Sequence, residues 1–259
     1  VTVGSDMIMD LEKMIYQLDE PQADLAPLNA MYICELAKSQ GIKVLLSGTG
    51  GDDIFTGYRR HYALQKERYW NWLPYHARKM LRNASSMLPV ENLQLRRVAK
   101  AFQYADYDKS PRLASYFYWI DPVISQNLFS QEFKSKFSVY APERQLIKSL
   151  DKLPANTSDL NKMLYLEQKH FLTDHNLNYT DKVSMANGVE VRVPLLDPNL
   201  ITHVLSLPDG FKQRGSTGKW IFKKAMEPYL PRNVIYRPKT GFGAPLRFWM
   251  KNDLKPLID

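Results

Sequence analysis

The residues best suited to chemistry are clustered at positions 47–53, Ser-Gly-Thr-Gly-Gly-Asp-Asp, immediately after the apolar run Val44-Leu45-Leu46. Three glycines in this stretch, Gly48, Gly50 and Gly51, let backbone N–H groups approach an anion closely. Ser47 and Thr49 add hydroxyls. The acids that follow, Asp52 and Asp53, are the hard oxygen ligands that a divalent cation carrying phosphates prefers. The pattern reads as a nucleotide and magnesium loop. It is neither G-x-x-x-x-G-K-[ST] nor G-x-G-x-x-G, and the same residues also fit a tight turn followed by a helix N-cap.

Two further groups carry charge in suggestive settings. Glu190 and Arg192 flank Val191, so an extended segment would place them on one side, with Val189, Val191 and Val193 on the other. Such a pair fits a structural ion pair, and it also fits a device that orients a polar substrate, because the guanidinium fork matches carboxylate and phosphate. Lys239 lies among Arg237, Pro238, Gly241 and Gly243, a composition that fixes a loop. That loop is either an exposed cationic surface or a mount for a lysine aimed at polyphosphate.

The elements that must position these groups come from periodicity. Met7, Ile8, Leu11, Met14, Ile15 and Leu18 keep helical spacing behind a Ser5 or Asp6 cap, and Asp19-Glu20-Pro21 ends that helix. A second helix over about 28–40 closes at Gly41 and feeds a strand over 42–46, read as buried on both faces in a parallel sheet. Residues 1–3 suit the tail of another strand. Ligands in open α/β sheets sit beyond the carboxyl ends of the strands, which is where the Gly-Asp loop falls. Nothing after Tyr58 reads as a further βα unit. The spacing instead predicts helices at about 62–72, 76–88, 92–105, 111–119, 122–128, 131–137, 160–176 and 218–228, punctuated by prolines.

With 259 residues, 44% hydrophobic and 24% charged, the chain can bury a large core. Thirty-five basic against 27 acidic residues give +8, which favours acidic partners. The basic stretch Arg78, Lys79, Arg82, Arg96, Arg97 and Lys100 reads first as solvated helix faces, and no nucleic-acid-binding motif accompanies it. One cysteine, Cys34, excludes an intrachain disulfide and a Cys-based zinc cluster, and points to a reducing compartment, the cytoplasm. No run approaches the ~18 apolar residues of a membrane span, and no membrane partner is expected.

Taken together, Asp19-Glu20-Pro21 with Asp24, then LSGTGGDDIFTGY, SMANGVEVRVPLLD and RPKTGFGAPLRFW, occur in the order found in the synthetase region of class II (glutamine-hydrolysing) asparagine synthetases, which the chain resembles from about Val1 to Trp249. The resemblance implies an α/β fold: a partial parallel-sheet layer of the adenine nucleotide α-hydrolase-like, ATP-pyrophosphatase type over residues 1–60, then a mostly helical remainder over 61–259. It implies an ATP- and Mg²⁺-dependent, AMP-forming amidotransferase that makes an acyl-adenylate and lets ammonia attack it. By motif position Ser47 and Gly48 would contact the adenylate, with Gly50 and Gly51 in the same loop. Asp52 would hold magnesium on pyrophosphate, Lys239 would neutralise phosphate charge, and Glu190 and Tyr58 would organise the site.

Departures from the family pattern carry information too. Thr49 stands where the family usually has an acid, and threonine is no base near neutral pH. Aspartate is the leading expectation for the acceptor carboxylate, with a uronic acid of surface-polysaccharide synthesis as the alternative. A non-catalytic module that binds a polyanion or partner is the other alternative. Neither the S-G-G-x-D-S pyrophosphate loop nor a glutaminase domain is present, and Cys34, inside a predicted helix, cannot replace the glutaminase nucleophile. The expectation is therefore the C-terminal part of a longer enzyme, inactive alone, supplied with ammonia from elsewhere, with an open sheet edge that favours a homodimer.

Overall fold

The computed structural model describes residues 4–22, 24–89, 91–136, 141, 143–238, 249, 252 and 255. In chain order the elements are α1 (Leu11–Leu18), α2 (Ala26–Ser39), β1 (Val44–Leu46), α3 (Gly51–Ile54), α4 (Arg59–Lys66), α5 (Tyr75–Ser86), α6 (Leu93–Phe102), α7 (Lys109–Ser115), α8 (Pro122–Asn127), α9 (Gln131–Lys136), α10 (Glu143–Leu150), α11 (Asp159–Leu166), α12 (Asn178–Ala186), β2 (Glu190–Arg192), α13 (Pro198–Ser206), α14 (Asp209–Lys212), β3 (Gln213–Arg214), β4 (Thr217–Gly218), α15 (Trp220–Met226) and α16 (Arg232–Ile235). The fold is a mostly helical α/β structure with a small parallel sheet. Two compact units divide it: Val1–Ile54 with Gln168–Ser206 and Ile221–Asp259, and Phe55–Glu167 with Leu207–Trp220.

In the first unit the amphipathic helices form as their spacing requires. Met14 and Leu18 of α1 pack with Leu28 and Met31 of α2, Val183 of α12, Met7 and Trp249. The start of the first helix differs from expectation. Ser5–Asp10 is a 3₁₀ turn with Gly4 at the N-cap position, and no side chain caps it. Gly41 adopts a φ of 71°, the left-handed conformation that ends α2.

β1 and β2 pair in parallel, Val44 opposite Glu190, Leu45 opposite Val191 and Leu46 opposite Arg192. The expectation that nothing after Tyr58 forms a further βα unit is thus corrected in one respect: the segment Glu190–Arg192, read as extended, supplies a second parallel strand. The strand read as buried on both faces is also corrected. Leu45 packs with Val191 against Cys34, Ala37 and Val189, whereas Val44 is 42% and Leu46 75% exposed. Only one face of this two-stranded sheet is covered by helix among the described residues.

The second unit is helical around Leu64, Leu113, Leu150, Leu160, Met163, Leu164 and Leu166. A single long helix was expected over 160–176. Instead α11 gives way at Glu167 to wider π-helical turns over Glu167–Leu177 before α12 begins. Widened turns of this kind re-aim side chains at functional positions.

Candidate active site

The Gly-Asp loop grows directly out of the sheet. Ser47 N–H donates to the Arg192 carbonyl at 2.8 Å, carrying the ladder one residue beyond β1. Ser47 Oγ lies 2.7 Å from Thr49 Oγ1 and accepts from Thr49 N–H at 3.2 Å, which folds the loop back on itself. Gly51 N–H donates to the Gly48 carbonyl at 3.2 Å, while the N–H groups of Asp53 and Ile54 both reach the Gly50 carbonyl at 3.0 Å and start α3.

The glycines are not equivalent. Gly50 has φ +88°, and a Cβ there would sit 2.2 Å from Leu196 Cδ2, so the turn admits no side chain. Gly48 meets nothing within 4 Å of the same hypothetical atom. Its lack of a side chain leaves the surface beside Ser47 open.

Successive positions on α3 turn the two acids apart. Asp52 is half-buried and Asp53 fully buried. Burial, together with the carboxylates of Asp53 and of Asp24, which follows the Asp19-Glu20-Pro21 element, pushes the Tyr179 phenol up to about 12. That element is tied to the chain around α12 by three polar links: Lys182 to Asp19 (3.6 Å), Asn178 to Glu20 (3.2 Å) and His175 to Asp24 (3.5 Å). Phe171 stacks on the His175 ring at 5.0 Å and Tyr179 meets it edge-on at 5.4 Å. Sequence reasoning missed His175 and Tyr179. Their signal was the spacing of four between Phe171, His175 and Tyr179, which puts three rings on one helical face.

On β2, Arg192 Nε donates to Glu190 Oε1 at 2.8 Å, both side chains exposed. They project to one side, and Val189 and Val191 pack on the other. Leu46, Arg192, Val193, Pro194, Leu196 and Asp197 border an open depression of about 460 Å³ at the carboxyl ends of the strands, the position at which parallel sheets bind ligands.

The first unit therefore brings together Ser47, Gly48, Gly50, Gly51, Asp52, Glu190 and Arg192. Tyr58 belongs to the second unit. There its backbone N–H donates to His61 Nδ1 at 3.2 Å, and the Arg60 guanidinium lies 4.4 Å from its ring centroid. Lys239 lies outside the described residues. No group of three or more His, Cys, Asp or Glu capable of holding a metal exists among the described residues. Asp52 fits a magnesium ion only as a single anchoring carboxylate, the rest of the shell coming from phosphates and water, as is usual for this ion.

The profile of one family, asparagine synthase, matches residues 1–259. The chain belongs to the asparagine synthase family. It is 27% identical over 261 residues to asparagine synthetase [glutamine-hydrolyzing] 1 of Bacillus subtilis, covering 96% of this chain and 38% of that protein. A putative asparagine synthetase [glutamine-hydrolyzing] of Mycobacterium tuberculosis is 26% identical over 258 residues, covering 97% of this chain and 37% of that protein. Amidase chyE of Penicillium rubens is 24% identical over 262 residues, at 92% and 37% coverage. This member of the asparagine synthase family thus spans less than two fifths of the length of those relatives. No solved structure matches it.

Proposed function

We propose that the chain is the synthetase part of an ATP-dependent, AMP-forming amidotransferase, built on an ATP-pyrophosphatase-type sheet and working in the cytoplasm. The observation that carries this reading is the loop at positions 47–53. It joins the carboxyl end of a parallel strand to Asp52 through a glycine turn that Leu196 closes to any side chain. A substrate carboxylate oxygen attacks the α-phosphorus of ATP, pyrophosphate leaves, ammonia attacks the acyl carbon, and AMP departs as the amide loses a proton. Asp52 would hold a magnesium ion, which would supply positive charge to the pyrophosphate oxygens. Ser47 and Gly48 line the nucleotide, Lys239 offsets phosphate charge, and Glu190 with Arg192 orients the reactants. Ammonia released from glutamine is the nitrogen donor.

Aspartate is the first-choice acceptor, as the names of the bacterial relatives suggest. One observation favours a second choice, another carboxylate such as a uronic acid: Thr49 stands where the family usually has an acid, and its hydroxyl is engaged with Ser47. The test is ATP–pyrophosphate exchange by the gene's full-length product against a panel of carboxylates, with Lys239→Ala alongside. Exchange dependent on one carboxylate and lost in the variant supports the reading. Exchange with none of them refutes adenylation.

A further inference from the structure

Charge is unevenly distributed along the chain. Residues 59–105 hold ten Lys and Arg but only two acids, Glu67 and Glu91, a surplus equal to the +8 of the whole protein. Part of that surplus is consumed internally. Arg60 pairs with Glu167, Arg82 with Asp106 at 2.8 Å, and Arg78 donates to the carbonyls of Leu73, Ala105 and Tyr107. Lys66, Arg68, Lys79, Arg97 and Lys100 are exposed.

Exposed apolar groups are interleaved with these cations. The Lys66 ammonium lies 5.1 Å from the Tyr62 ring centroid and 5.4 Å from that of Tyr69, and Arg68 lies 4.7 Å from Tyr69. Trp72 is 73% exposed, yet its indole N–H already donates to the Tyr69 carbonyl at 3.1 Å, so the ring presents an apolar face with its one donor satisfied. At about 100° per residue, Tyr75, His76, Lys79, Met80, Asn83 and Met87 fall in one arc of α5 and its cap. All six are exposed, Met80 at 72% and Met87 at 85%.

A helix face displayed only to water has no use for two such exposed methionines. Apolar tips flanked by lysine and arginine are what an interfacial surface requires: the tips enter the acyl boundary and the cations meet headgroup phosphates. We propose that the exposed cations and apolar side chains between Tyr62 and Met87 dock this protein on an anionic phospholipid bilayer surface. This departs from the expectation of no membrane partner, which rested on the lack of a spanning segment. Among the described residues no helix is long and apolar enough to cross a membrane, and surface docking needs none. A single-stranded nucleic acid is the lesser fit, because it stacks on open aromatic faces, whereas Lys66 and Arg68 lie over those of Tyr62 and Tyr69.

The test is flotation of the purified protein with vesicles of phosphatidylcholine alone or mixed with phosphatidylglycerol, at low and high salt, with single-stranded RNA in a parallel binding assay. Binding to the anionic vesicles only, weakened by salt, is expected. Lys66→Gln with Lys79→Gln should weaken it about fivefold for each lysine removed, and Met80→Ser with Met87→Ser should weaken it without changing the salt dependence. Lys136→Gln with Lys152→Gln, a charge-matched pair elsewhere on the surface, should do less, and circular dichroism should show every variant folded. Four results would overturn the proposal: no vesicle binding, equal binding to neutral vesicles, RNA binding without vesicle binding, or equal weakening by the charge-matched pair.

Discussion

The edge of the β1–β2 sheet and the helical unit around α4 and α11 use the same kinds of side chain in opposite ways. At the sheet edge Glu190 and Arg192 pair in the open and Asp52 is half-buried. In the helical unit Glu167 is fully buried, holding Arg60 through both carboxylate oxygens and His61 Nε2 at 3.0 Å, while buried Glu67 holds Arg112 at 2.9 Å and Tyr116 at 2.8 Å. Because His61 Nδ1 accepts from Tyr58 N–H, its proton sits on Nε2 and points at Glu167. Taking a charge out of water costs several kcal/mol unless partners replace the solvent. The paired charges around Glu167 and Glu67 are thus committed to folding, and those at the sheet edge stand where a ligand can meet them.

The two buried carboxylates also differ from each other. Burial disfavours ionisation of both. At Glu167 the hydrogen bonds from Arg60 and His61 and the charge of Arg60 outweigh it and hold the carboxyl below its usual range. At Glu67 burial prevails over Arg112 and Tyr116, and the carboxyl is raised.

The comparison can be broken most forcefully at Glu167. Glu167→Ala leaves Arg60 without its buried counter-charge, and urea unfolding should show a loss of about 3–5 kcal/mol; a loss under ~1 kcal/mol would mean that the pair does not hold the unit together. Gly50→Ala combines a left-handed φ with a clash against Leu196, and should cost about 1–3 kcal/mol of stability along with activity. A stable and active variant would show that the turn relaxes.

Acidification gives a smaller effect with a definite sign. A carboxyl held below its unfolded value contributes stability above the unfolded pKa and loses it as pH falls through the folded one. Glu167→Gln should therefore flatten the loss of stability on acidification, and an unchanged slope would contradict the assignment. Glu67, raised, contributes a slope of the opposite sign. The smallest effect on stability belongs to Glu190→Gln and Arg192→Gln. These exposed partners should leave the urea midpoint unchanged while altering carboxylate-dependent exchange; a shifted midpoint with normal exchange would make the pair structural.

Periodicity revealed α1 and α2 because each buries one stripe, as Met14 and Leu18 do, and it revealed most helices of the second unit, including α8 and α9, which bury no residue. It marked the extended segment that forms β2 but not its pairing with β1, and it gave no sign of the widened turns after Glu167, which leave no mark on composition. It also passed over α10 and α13. For α13 the signal was available: Asp197 accepts from the N–H groups of Asn199 and Leu200, with Pro198 in the first turn. At the site, the loop and the one-sided Glu190–Arg192 pair could be read from residue types and spacing. The commitment of Arg78 and Arg82 to internal partners could not, because a basic residue spent on folding looks the same in sequence as one on display.

The most direct test of the central claim is ATP–pyrophosphate exchange by Asp52→Asn in the full-length gene product, with urea unfolding of the same sample. The account predicts a stability change within about 0.5 kcal/mol and a loss of exchange of at least about a hundredfold. Exchange that survives the substitution, or that falls only in proportion to lost folded protein, would contradict a nucleotide site at positions 47–53.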